Sequence, residues 1–256
     1  MQISGNTILI TGGGSGIGRG LAEAFHALGN QVIIAGRRKQ LLDETAAANP
    51  GMKTAVLDLD RAEAINKFAA KLATDYPDLN AVIHNGGIMR PEDLKRGGVA
   101  DADAMITTNL LGPIRLTAAL LPHLLSKPTA TIMTVSSGLA FVPIAMAPTY
   151  CATKAAIHSY TQTLRYQLRD TSVQVLELIP PYVQTELMGP GQAKDPRAMP
   201  LEDFISETMN ILKSSLDANE IAVERVLPLR NAERSGNYEA FFQSFNDAMN
   251  AAAAAH

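Results

Sequence analysis

The chain has 256 residues, 46% of them apolar, with a formal charge of −3 and one cysteine. That length and apolar content can bury a large core as one α/β domain spanning residues 1–256. The scattered Lys and Arg form no basic stripe and aromatic residues are few, which argues against nucleic acid as a partner; a single cysteine excludes an internal disulfide and a cysteine-rich metal site, so no metal is expected.

The opening MQISGNTILITGGG lacks the basic and long apolar regions of a signal peptide, which predicts a cytoplasmic protein. Short runs rich in β-branched residues then alternate with longer helical patterns. The runs are Thr7 to Thr11, Gln31 to Gly36, Thr54 to Asp58, Ala81 to Asn85, Ala130 to Ser137, Val173 to Ile179 and Glu220 to Val226. Continuous apolar strands separated by helices predict a doubly wound, mostly parallel, seven-stranded sheet of Rossmann type, covered on both faces in three αβα layers. Ligands then belong at the carboxyl ends of the strands. The apolar segment IRLTAALLPHLL carries Arg115, Pro122 and His123 and is too short to span a bilayer, so it reads as a buried helix and no membrane partner is expected. Between Pro180 and Pro200 the chain is rich in Pro and Gly without a clear period, and residues 180–215 are taken as a lid over the binding site. The final NAAAAAH reads as a fraying helix or an appended tail.

Three stretches carry candidate chemistry. The first strand runs into TGGGSGIGRGLAEAFHALG, where Gly12, Gly16 and Gly18 allow a tight turn, close approach of a phosphate and close helix-to-strand packing. The usual G-x-G-x-x-G pattern fails at Ile17, although the strand-turn-helix context holds. About twenty residues on, where an acidic residue would bind a ribose 2′-hydroxyl, stand Gly36, Arg37 and Arg38. Two guanidiniums in place of a carboxylate favour a 2′-phosphate, hence NADP(H), with NAD(H) as the alternative. In TYCATKAAIHSYTQTLRYQL, Tyr150 and Lys154 are four apart and share a helical face. Alone, that spacing is an ordinary packing pattern. Cys151 beside Tyr150 has no local activating motif and reads as a packed small residue.

Together TGGGSGIG, HNGG (His84 to Gly87), NLLGP (from Asn109), VSS (to Ser137) and YCATK (Tyr150 to Lys154) resemble, in order and spacing, the classical short-chain dehydrogenases/reductases. The resemblance extends from residue 7 to about 190. It implies a catalytic set of Asn109, Ser137, Tyr150 and Lys154. Tyr150 would protonate a carbonyl oxygen or deprotonate an alcohol. A phenol has a pKa near ~10, and a lysine cation close by is expected to lower it by roughly one to three units. Lys154 would also bond the nicotinamide ribose, Ser137 would hold the substrate oxygen, and Asn109 would serve a water-linked relay toward Lys154. Taken singly, Ser137 reads as a turn residue and Asn109 as a helix cap. Cofactor contacts implied by the resemblance are Gly12, Gly14, Ser15, Gly16, Ile17 and Gly18 in the glycine loop, Arg37 and Arg38 after the second strand, Asp58 and Leu59 near the adenine, Asn85 and Gly86 beneath the adenosine, Tyr150 and Lys154, and Pro180, Val183 and Thr185 at the carboxamide.

Two departures stand out. Pro181 replaces the family's usual glycine, which removes a backbone donor and predicts an altered loop path near the nicotinamide. HNGG differs from the commoner Asn-Asn-Ala-Gly, and His84 reads as packed or capping rather than catalytic.

A substrate pocket is expected from Ser137, Leu139, Phe141, Met146, Tyr182, Leu187 and Met188. These side chains are mostly apolar and include no arginine clamp. They suit a small or medium, uncharged, partly hydrophobic ketone or secondary alcohol as the small-molecule partner. An imine reductase on the same scaffold and a nucleotide-binding regulatory protein without turnover are the alternatives. A homodimer or homotetramer is implied through the helices near Leu110 to Leu125 and Tyr150 to Arg169. The C-terminal NAERSGNYEAFFQSFNDAMN resembles a little-characterised subgroup of the family, some of whose members are named for D-alanine transfer to teichoic acid, a name that does not define an activity.

Overall fold

The apolar runs form β1 (Thr7–Thr11), β2 (Gln31–Gly36), β3 (Lys53–Val56), β4 (Leu79–His84), β5 (Ala130–Val135), β6 (Val173–Ile179) and β7 (Glu220–Ala222). In the computed structural model, which describes residues 1–97 and 99–254 and side chains as far as 250, these strands make one parallel sheet of seven in the order β3-β2-β1-β4-β5-β6-β7. Ile8 and Ile10 of β1 and Val32 and Ile34 of β2 enter one half of the core, while Leu9, Ile33 and Ala35 enter the other. Both faces are therefore dry, which is why the strands read as unbroken apolar runs rather than alternating ones.

The first half of the core is closed by α1 (Gly16–Ala27), α2 (Lys39–Ala48) and α7 (Leu201–Ser214), through Leu21, Phe25, Leu42, Phe204 and Leu212. The second is closed by α3 (Ala62–Asp75), α5 (Gly112–Leu125) and α6 (Pro148–Gln167), through Ile65, Leu72, Leu116, Leu120 and Leu164. Phe25 and Phe204 are among the largest fully buried side chains, each worth roughly 1.5–3 kcal/mol in transfer terms. The remaining helices are α4 (Ala100–Ile106), α8 (Leu227–Arg230) and α9 (Tyr238–Ala254). From β1 the sheet grows to one side through β2 and β3 and to the other through β4, so a crevice opens above the carboxyl ends of β1 and β4.

The structure departs from expectation in several element bounds. β5 stops at Val135 because Ser136 and Ser137 leave the sheet for a turn, Ser137 accepting from the Leu139 N–H. β7 stops at Ala222, and its apolar continuation becomes a 3-10 turn, Glu224–Val226, whose Glu224 N–H is taken by the Glu207 carboxylate. The IRLTAALLPHLL helix does not stand alone. α4, a π-helical turn (Thr107–Leu111) and α5 run end to end from Ala100 to Leu125, 26 residues, long and apolar enough on those counts to cross a membrane. Here Leu116, Leu120 and Leu124 lie against the sheet in the second half of the core. The stretch expected as a lid, residues 180–215, is of two kinds. Only Pro180 to Pro200 is irregular, and from Leu201 the spacing of Phe204, Thr208, Met209 and Leu212 makes a regular helix buried against the sheet. At the C-terminus α9 continues to Ala254, and the last two residues of the expected tail lie outside the described residues.

Candidate active site

A cleft of about 520 Å³ occupies the crevice at the strand ends. Its floor is the β1–α1 turn. Gly12 has φ +69°, and a Cβ there would lie 2.8 Å from Asn85 Nδ2 and 2.9 Å from Gly86 Cα, so this turn excludes side chains. Gly14, Ser15, Gly16 and Ile17 line the cleft; Gly18 does not, since it packs against the Gly12 carbonyl and Asn85 and lets α1 approach β4. The first turn of α1 carries no acidic residue, which leaves the positive end of the helix dipole for an anion. Thr11 Oγ1 accepts from the N–H groups of Asn85 and Gly86, and Asn85 Nδ2 donates to the Thr11 carbonyl at 3.0 Å, which locks β1 to β4.

At one end of the cleft stand Arg37 and Arg38. Arg38 Nη2 donates to Ser15 Oγ at 2.9 Å, and Arg37 Nη1 lies 3.4 Å from Asp60 Oδ2. Ser15 makes no capping bond to its own helix, so its hydroxyl is given over to Arg38. The wall beside them is apolar, formed by Leu41, Leu57 and Leu59. Asp58, expected here with Leu59, does not line the cleft. Its carboxylate turns back to accept the Asp60 N–H at 3.2 Å.

At the other end Ser137, Tyr150 and Lys154 converge on the cleft, each less than a tenth exposed. Pro148 starts α6 at the position where a missing N–H costs nothing, which sets Tyr150 in the first turn and Lys154 one turn on. Lys154 Nζ donates to the Val135 carbonyl at 2.8 Å and sits 5.5 Å from the centroid of the Tyr150 ring. The expected lowering of the Tyr150 pKa by Lys154 is not found. Burial pushes the phenol above its ordinary value, Cys151 adds to this, and a hydrogen bond with Ser137 only partly opposes it. Burial also pushes the Lys154 pKa down, to about 8, against the pull of Glu177.

Asn109 sits in the π-helical turn, a distortion that recurs at functional sites. Its amide clasps both backbone groups of Ile88, at 2.8 Å each, and donates to Thr153 Oγ1 at 3.3 Å. The side chain does not line the cleft or bond Lys154; it fixes the loop after β4 against the residue preceding Lys154. His84 is packed, its Nε2 2.9 Å from Thr117 Oγ1, and burial pushes its pKa down to about 4. Cys151 is likewise packed, its Sγ accepting from the Ile144 N–H.

Pro180, Val183 and Thr185 also line the cleft, Thr185 lying against Gly16 of the glycine loop, as do Leu139, Tyr182, Leu187 and Met188. The Pro180 carbonyl accepts the Gly138 N–H at 2.9 Å, joining this loop to the Ser137 turn, and Pro181 also borders the cleft. Gln192 is buried within the loop, donating to the Val183 carbonyl and accepting from the Met188 N–H; the Tyr182 hydroxyl donates to Asp195 Oδ2 at 3.1 Å. Phe141 and Met146 do not line the cleft. Phe141 lies edge-on to His158 beneath the Arg230 guanidinium, and Met146 packs into a small cluster with Met89, Met105 and Cys151. In their place the structure brings in Ile144, and Phe245 and Met249 from α9. Asn246, between them, accepts the Ala145 N–H at 2.7 Å and donates to the Pro143 carbonyl at 3.1 Å, which fastens α9 over the cleft. The four-residue spacing of Phe241, Phe245 and Met249 marked an apolar helical stripe in the sequence but not what it would cover.

A family model described as short chain dehydrogenase matches residues 6–196. A protein of Bacillus subtilis (strain 168) called uncharacterized oxidoreductase DltE is 41% identical over 98% of this chain and 100% of its own length. Among solved structures, the closed form of serine dehydrogenase complexed with NADP+ superposes with a TM-score of 0.75 at 26% identity, covering 84% of this chain and 92% of that one. A short chain dehydrogenase from Burkholderia cenocepacia J2315 in complex with NADP superposes with a TM-score of 0.81 at 24% identity, covering 95% of this chain and 98% of that one.

Proposed function

The chain belongs to the short-chain dehydrogenase family of oxidoreductases that work with a nicotinamide dinucleotide, and from that premise we propose that it is an NADP(H)-dependent reductase of small or medium, uncharged, partly hydrophobic ketones. The observation that carries this reading is the convergence of Ser137, Tyr150 and Lys154 on one cleft whose far end is bounded by Arg37 and Arg38.

The residues present fit the dinucleotide. Gly12 leaves a cradle that a Cβ would fill, α1 offers its N-terminal amides, and the apolar wall at Leu57 and Leu59 suits an adenine. Arg37 and Arg38 would take the 2′-phosphate, because guanidinium groups match phosphate in charge and fork geometry. When bound, the cofactor supplies the hydride. Tyr150, held as a neutral phenol by burial, keeps its proton for the carbonyl oxygen as negative charge develops there. Ser137 donates a hydrogen bond to that oxygen, and the buried Lys154 adds positive potential where water no longer screens it.

The substrate end is walled by Leu139, Ile144, Leu187, Met188, Phe245 and Met249, with Glu186 its acidic side chain. Among the described residues that line this end, Lys154 is the one cation, and no arginine stands there to clamp a carboxylate or phosphate. Leu125 and Tyr166, exposed on α5 and α6, support assembly of copies through those helices. The test is a product-identified panel of ketones, imines and alcohols with NADPH and NADH. Turnover of apolar ketones with NADPH in preference supports the reading, imine-selective turnover replaces it with the C=N chemistry, and inactivity across the panel with intact NADPH binding points to a regulatory protein.

A further inference from the structure

Beneath the proposed catalytic residues lies a second set of polar side chains that the reaction as described does not use. Glu177 is fully buried in β6, on the face where Val173 and Val175 pack against Leu164 and Leu168. An apolar residue is the ordinary occupant of such a position, and replacing buried ion pairs by apolar side chains is often neutral or stabilising. Stability alone therefore does not account for a carboxylate here.

Its two oxygens are spoken for. Oε1 accepts from Ser136 Oγ at 2.5 Å, and His158 Nδ1 lies 2.9 Å from Oε1 and 2.8 Å from Oε2. Ser136 is the neighbour of Ser137, and its own N–H donates to the Leu178 carbonyl. His158 is one helical turn beyond Lys154, which is one turn beyond Tyr150, so all three share a face of α6. One carboxylate thus ties the strand end that carries Ser137 to the helix that carries Tyr150 and Lys154. The other charged groups around it are Arg165 on α6, which donates to the Val175 and Asn219 carbonyls, Glu220 opposite it on β7, and Arg230 on α8, which grips Glu220 through two bonds of 2.7 and 2.8 Å. Ligand atoms of His158, Glu177 and Glu220 lie within 4.8 Å of one another, but donors already occupy both carboxylates, so the cluster is a satisfied network and not an open cation site.

We propose that Glu177 is a positioning residue: through Ser136 and His158 it sets Ser137 against the Tyr150–Lys154 helix, with its carboxylate bonded to the side chain one helical turn beyond Lys154. The inference rests on the catalytic assignment of Tyr150 and Lys154 made above. In support, Glu177 is the charge that opposes the burial of Lys154, which otherwise drives that ammonium toward neutrality.

The test is a 13C NMR titration of the full chain labelled at lysine Cε, with the Lys154 signal identified by its loss in Lys154→Met. In Glu177→Gln, which keeps the shape and removes the charge, the Lys154 midpoint is expected to fall by about one pH unit. Turnover should fall about tenfold with the KM for NADPH unchanged, as misplacement of reacting groups does. His158→Gln leaves the carboxylate and removes one tie. There the Lys154 midpoint should hold or rise while turnover falls, and this variant carries the test if Glu177→Gln does not fold. A Lys154 midpoint unmoved in Glu177→Gln, or lowered in His158→Gln, overturns the proposal. The two readings fail separately. A midpoint that falls in Glu177→Gln although the wild type shows no turnover supports the charge coupling and sinks only the reductase assignment, whereas an active wild type whose midpoint Glu177→Gln leaves unmoved sinks this proposal alone.

Discussion

Replacing Arg37 and Arg38 by alanine tests the cofactor assignment most directly. Arg38 is tethered to Ser15 at 2.9 Å and Arg37 leans on Asp60 at 3.4 Å, so both guanidiniums are held at the same end of the cleft. A hydrogen bond to a charged group contributes about 1.5–3 kcal/mol. The Arg37 side chain is 50% exposed, so solvent and salt screen it and the lower figure applies. Taking about 1.5 kcal/mol for each arginine, each single variant loses roughly tenfold in kcat/KM for NADPH and the double variant roughly a hundredfold. NADH, which has no 2′-phosphate, should change by no more than about threefold. The lost surface contacts are worth at most about 1 kcal/mol each, so the fold survives. Steady-state kinetics with both cofactors at low and high salt reads the effect, and the NADPH penalty should shrink as salt rises. Equal losses for NADPH and NADH, or none for either, would refute the reasoning.

Three further outcomes follow from the geometry. Tyr150→Phe should bind NADPH normally by fluorescence titration yet lose about 10²–10⁴-fold in kcat; full activity would remove the phenol from the chemistry. Lys154, with a folded pKa of about 8 against 10.5 when unfolded, binds fewer protons in the native state between those values, so its burial penalty is complete below pH 8 and relieved as pH rises toward 10.5. Urea unfolding of wild type against Lys154→Met across that window should show wild type gaining about 3 kcal/mol relative to the variant, and parallel pH profiles would contradict the assigned burial. Asn246→Ala strands the Ala145 N–H and the Pro143 carbonyl, costs about 1–3 kcal/mol, and should loosen α9, seen as faster C-terminal proteolysis and a higher KM for bulky ketones with NADPH affinity unchanged.

Much of the fold was legible in the sequence because its determinants are local. β1, β2 and β6 occupy the same residues as the apolar runs that announced them, and Gly12 was marked by a turn that only glycine tolerates. The shared face of Tyr150 and Lys154 also follows from helical periodicity alone. What the sequence misread depends on neighbours remote along the chain. The direction of the Tyr150 pKa is set by how deeply the sheet and loops bury it, not by the lysine one turn away. For Asn109 the sequence offered no sign of its side-chain partner, the backbone of Ile88, brought there by the loop after β4. Phe141 and Met146 lie in the expected stretch yet turn elsewhere, while Phe245 and Met249 arrive from the far end of the chain to wall the substrate space. Glu177 read as part of a strand, and only the tertiary arrangement sets it beneath both catalytic elements. Periodicity and backbone sterics act over a few residues and are written in the sequence; burial and electrostatic coupling act through space, and the packed structure decides them.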